Sequence, residues 1–140
     1  MLAGLLLPAS AALEAQAAPA PALTYNQVGY VESTANNSGE QVTDYQQSTR
    51  NDHRGPEVLV VTVEYGIADP STRIATLDGR RPVAVEISNI LNGRTVVGHV
   101  CYFRFNAANV TNLKFNCTAT SANLPPPGKP RTLTDSIVIR

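Results

Sequence analysis

At 140 residues, 43% hydrophobic and 16% charged, the chain can build the core of one domain and is too short for two. Eleven basic residues balance eleven acidic ones, and no basic run exceeds the pair Arg80 and Arg81, so nucleic acid is not an expected partner. The balance hides a split: residues 18–72 hold two arginines against seven acids, and residues 73–140 hold nine basic residues against three acids.

Residues 2–7 are an apolar run, and Ala15-Gln16-Ala17 has small residues at both ends, as a signal peptidase site requires. This predicts a signal peptide over residues 1–17, although no Lys or Arg precedes the run. Residues 18–23 then read as an Ala/Pro linker. No apolar stretch is long enough for a membrane span, so the expected chain is secreted, or periplasmic in a bacterium. A single β domain is expected over residues 24–140.

Residues 24–31 predict a first strand, with Tyr25 and Val31 on one face and Val28 and Tyr30 on the other. Residues 32–57 are polar, with only Ala35, Val42 and Tyr45 as apolar candidates. Such a segment cannot offset its own ordering entropy, so it predicts a long loop, mobile or ordered by something outside itself. Residues 58–65 are the clearest strand, with both faces largely apolar, and this predicts a central position. Residues 73–77 form a short strand, Asp78-Gly79 a turn, and Pro82 marks a sheet edge or a strand start because it lacks a ladder donor.

Residues 83–90 place Val83, Val85 and Ile87 on one face, and Asn92-Gly93 follows as a turn. The next two runs, 98–105 and 113–118, alternate so that one hairpin can set Cys101 opposite Cys117, Phe103 opposite Phe115 and Phe105 opposite Leu113. That register predicts a Cys101–Cys117 disulfide and places Arg104 opposite Lys114 and Tyr102 opposite Asn116 on the other face. Extending it backwards predicts a three-residue loop over 91–93, with Val85 opposite His99 and Gly93 in the left-handed region as a bulge. Residues 121–130 are too proline-rich for an inner strand. Residues 132–139 close the chain as a strand with Leu133, Ile137 and Ile139 inward. Six or seven short strands without helical periodicity predict an all-β fold: a small antiparallel β-sandwich, immunoglobulin-like or similar, with a small β-barrel as the alternative.

Three sequons, at Asn36, Asn109 and Asn116, fall on predicted surface and are candidate glycosylation sites in a eukaryotic source. No cofactor fingerprint is present, and two cysteines with His99 alone nearby do not make a four-ligand zinc site, so neither cofactor nor metal is expected. Glu64, His53 and His99 have the residue types of a carboxylate–histidine hydrolase. Their local settings favour plainer roles: Glu64 as a solvated strand carboxylate, His53 as a surface histidine, and His99 packed beside the disulfide.

The leading expectation is therefore a secreted, non-catalytic β-sandwich that binds an extracellular protein or glycan. The binding candidates are Arg80, Arg81, Tyr102, Arg104 and Lys114, together with the 32–57 loop. Arg104 and Lys114, as opposed like charges, point to an acidic ligand. The second expectation is a small secreted hydrolase acting on RNA or glycan through Glu64 with His53 or His99.

Overall fold

The computed structural model describes residues 21–108, 111–122 and 131–140; the predicted signal peptide, Asn109 and most of the proline-rich segment lie outside these. The strands are β1 (Tyr25–Ser33), β2 (Glu40–Gln41), β3 (Glu57–Tyr65), β4 (Ile74–Leu77), β5 (Ala84–Asn92), β6 (Thr95–Asn106), β7 (Leu113–Thr120) and β8 (Thr132–Ile139). They form two antiparallel sheets, ordered β2-β1-β3-β6-β5 and β4-β7-β8. The two layers do not close into a barrel, and the fold is a small β-sandwich.

Alternation of side chains drives this arrangement. In β3, Val58, Val60, Thr62 and Glu64 are buried between the layers. β3 pairs with β1 on one side and β6 on the other, the central place its two apolar faces predict. Phe103 and Phe105 reach across to Phe115, with ring centroids 6.2 and 5.9 Å apart. Val31, Leu77, Leu113, Ile137 and Ile139 complete the core. Each fully buried side chain of this size is worth about 1.5–3 kcal/mol, so apolar burial, rather than ionic contact, holds the layers together.

Polar contacts lace the layers at the margin where β1 meets β8. Beside β8, the Val28 amide donates to Asp135 Oδ2 at 2.8 Å, and Asn26 Nδ2 donates to the Leu133 carbonyl at 3.1 Å. At the opposite margin five strands face three, so β5 extends past the smaller sheet.

Three sequence expectations are corrected. First, β6 and β7 do not form a hairpin. β6 lies between β3 and β5, β7 lies between β4 and β8, and the chain between them crosses from one sheet to the other. The inward parity of Cys101, Phe103, Phe105, Leu113, Phe115 and Cys117 was legible, but these residues meet across the layers instead of along rungs. Both cysteines are free and buried, so the disulfide is not formed. Each thiol has its own acceptor: Cys101 Sγ lies 3.6 Å from Glu64 Oε2, and Cys117 Sγ lies 3.9 Å from Asn26 Oδ1.

Second, the β5–β6 turn has two loop residues, Gly93 and Arg94, with Asn92 opposite Thr95 and Gly93 at φ 62°. Val85 faces Phe103 and Ile87 faces Cys101, because an irregularity between Ile90 and Leu91 shifts the register after the turn. The three-residue loop over 91–93 and the Val85–His99 pairing are not formed, and the irregularity lies inside the ladder, leaving Val85 on the same face as Cys101. Third, a bulge between Val28 and Tyr30 turns both Val28 and Val31 inward, where strict alternation had separated them.

Candidate functional site

Glu64 is not solvated. It is 1% exposed, on the inward face of β3 directly opposite His99 of β6. Arg73, just before β4, donates Nε to Glu64 Oε2 and Nη2 to Oε1, both at 2.8 Å. The guanidinium side chain is itself only 9% exposed, and the carboxylate hydrogen bonds raise its pKa above the usual arginine value. His99 Nδ1 lies 3.9 Å from Glu64 Oε1 and is buried with no hydrogen-bond partner among the described residues. The structure thus brings Glu64 and His99 together with an arginine that sequence reasoning missed. A catalytic base needs a free oxygen and access to substrate. Arg73 donates to both Glu64 oxygens and burial leaves the carboxylate 1% exposed, which disfavours that role.

Burial pushes the Cys101 thiol up to about 12, with the nearby Glu64 carboxylate adding to the effect. Burial, then Asp135, pushes Cys117 to about 12 as well. Neither forms a reactive thiolate at neutral pH. A thiol reagent at pH 8 should therefore leave the native protein unlabelled and label both cysteines in denaturant without reductant. Labelling of the native chain, or none after unfolding, would contradict this arrangement.

His53 is also not a surface residue. It is 1% exposed, with Nε2 2.6 Å from Glu40 Oε1 and Nδ1 3.3 Å from Ser33 Oγ. Glu40 also accepts the Arg50 and Asn51 amides, each at 2.9 Å. The two ring nitrogens of His53 thus bridge Glu40 and the Ser33 hydroxyl, whose oxygen accepts the Asn36 amide. The cluster pins the 32–57 segment from within, while the Thr49 amide and Gln47 carbonyl bind Val138 of β8 and the Val42 amide binds the Gly29 carbonyl of β1, so the segment is ordered from both sides. His53 and Glu64 belong to separate clusters, and no shared catalytic centre joins them.

The predicted binding strip is divided. Tyr102 and Arg104 lie on β6 in the larger sheet, while Lys114 lies on β7 in the smaller. Arg104 and Lys114 are therefore not opposed, and the like-charge argument for an acidic ligand falls. Arg104 instead pairs with Leu59 and Ala84 and lines a cleft of about 170 Å³ with Glu32 and Glu57. Arg80 closes the Asp78-Gly79 hairpin against Leu77, with both turn residues at positive φ. Arg81 is exposed and lines a cleft of about 290 Å³ whose other walls include Arg73, Ile74, Pro82, Val85 and Phe103.

That cleft opens onto the overhanging β5. Val85 and Ile87 share the inward face of Phe103 and Cys101, yet they are 48% and 43% exposed. Val83 and Ile74 extend the same apolar margin at 61% and 53%. Together they form an exposed apolar patch along β5 and the facing edge of β4. The sequence held half of this signal: Pro82 pointed to an edge, but the alternation of Val83, Val85 and Ile87 read as buried.

A family model matches residues 18–139. The chain belongs to the family described as Domain of unknown function (DUF4879). No curated protein and no solved structure matches it. The DUF4879 span takes in both buried polar clusters, the cleft and all of β5. Among its sequons, Asn36 lies in the loop before β2 and Asn116 on β7, both partly exposed. Among the described residues, no group of three or more His, Cys, Asp or Glu is placed to hold a metal ion, and no helix is long and apolar enough to cross a membrane.

Proposed function

We propose that this DUF4879 protein is an exported, non-catalytic β-sandwich that binds a partner protein through the margin formed by β5 and the adjoining Arg81 cleft. The observation that carries this reading is the exposed apolar face of β5, left uncovered because five strands face three. The sealed state of Glu64 supports a non-catalytic role. Export is supported by the apolar run at residues 2–7 and by a family match that begins where signal cleavage is expected. Export from a eukaryotic cell would open Asn36 and Asn116 to glycosylation.

The test compares wild type with Ile87→Lys as bait in the native extracellular medium, after circular dichroism has shown that both are folded. The reading expects a protein retained by wild type and lost with the variant. Identical captures from both baits would sink it. The hydrolase reading retains one favourable observation, the pairing of Glu64 with His99. Hydrolysis of RNA or glycan by wild type that disappears in His99→Ala would establish it instead.

A further inference from the structure

We infer that β5 is a strand-addition site, whose occupant is an extended segment of a partner protein with apolar residues at alternate positions and carboxylates at both ends. The inference rests on the binding role proposed above and specifies its mode.

The sandwich has four sheet edges, and three are short or covered. β2 is two residues long and β4 four. β8 is covered: the Thr49 amide donates to the Val138 carbonyl and the Val138 amide to the Gln47 carbonyl, both at 2.9 Å. β5 is nine residues long and, among the described residues, pairs on the β6 side alone. Proteins shield long edges with charges, bulges, prolines or covering loops, because unpaired backbone groups recruit strands. Over Val85–Ile87 this edge has only Glu86 as a charge, paired with Tyr102 on the outer face. A strand added here would hydrogen-bond to β5 through its backbone and lay every second side chain beside Val85 and Ile87.

The charges identify the occupant. Arg80 and Arg81 precede β5, Arg94 follows it, and among the described residues none of the three forms an ion pair with an acid. Carboxylates at both ends of an incoming strand complement them. A second copy of this chain does not fit as well. Antiparallel pairing about Ser88 would set Arg81 of one copy against the Arg94 turn of the other, placing like charges at both ends.

The experiment titrates the full chain with a labelled peptide alternating valine and threonine, carrying two glutamates at each end, and follows fluorescence anisotropy. The expected result is saturable binding, at least about tenfold weaker when lysines replace the glutamates and weakened by salt. Methylating alternate peptide amides should abolish binding in one phase and spare it in the other, since only every second amide faces β5. The double variant Arg81→Glu, Arg94→Glu, far from the core, should reverse the preference towards the lysine-ended peptide. Absence of binding, equal binding of both peptides, identical effects of the two methylation phases, or self-association of the chain abolished by Ile87→Lys would overturn the inference. Should the peptide series fail while a natural partner is still lost with Ile87→Lys, strand addition falls and the binding role stands.

Discussion

Replacing Arg73 with methionine should lower the unfolding free energy by about 3–5 kcal/mol, because it strands the Glu64 carboxylate between the layers without its counter-ion. Against a typical total of about 5–15 kcal/mol this is a large fraction, and the melting temperature should fall by roughly 10–20 °C. Glu64→Ala should be damaging for the reciprocal reason, leaving a guanidinium that is nine-tenths buried. The double replacement Glu64→Leu, Arg73→Met removes both charges and should recover most of the loss, as apolar substitutes for buried pairs often do. A double-mutant cycle by urea denaturation checks this. Additive losses would show that the two side chains are not coupled, contrary to the 2.8 Å fork.

Glu40→Ala should cost about 3 kcal/mol or more, since it leaves the Arg50 and Asn51 amides and the His53 ring without their shared acceptor. Limited proteolysis should then cut within residues 42–56, and wild type should resist under the same conditions. The acid limb follows from the same contacts. Burial alone would raise the Glu40 pKa, but the two amides and His53 outweigh it and hold the value below 4.5. A carboxylate whose folded pKa is depressed binds protons more readily when unfolded. Its contribution is therefore complete above about pH 4.5 and lost as pH falls through the lower folded value. Urea midpoints measured from pH 6 down to pH 3 should converge for wild type and Glu40→Ala at the acid end. A constant gap across that range would remove Glu40 as the source.

The long strands and most of their inward faces were legible because period-2 alternation is local. Val58 and Val60, and the parity linking Cys101 with Phe103 and Phe105, could be read from neighbours in the chain. Which strands pair is not local. The 98–105 and 113–118 runs match as a hairpin by alternation alone, yet they serve equally well as facing layers of a sandwich, and parity does not distinguish the two. The Glu64–Arg73 fork and the His53–Glu40 pair were illegible for the same reason, since both depend on contacts between separate elements. Glu64 did leave one trace: it continues the inward series of Val58, Val60 and Thr62, where a solvated carboxylate would be out of place. The exposure of β5 was hidden because it depends on the width of the opposite sheet.

The lacing between the first and last strands bears on when the molecule can fold. Val28 waits for Asp135, and Asn26 for the Leu133 carbonyl, partners 107 residues further along the chain. During synthesis β1 must remain without these partners until β8 has emerged, so the sandwich closes only once all eight strands are made. Delay of this kind would keep the polypeptide threadable, as the proposed export requires.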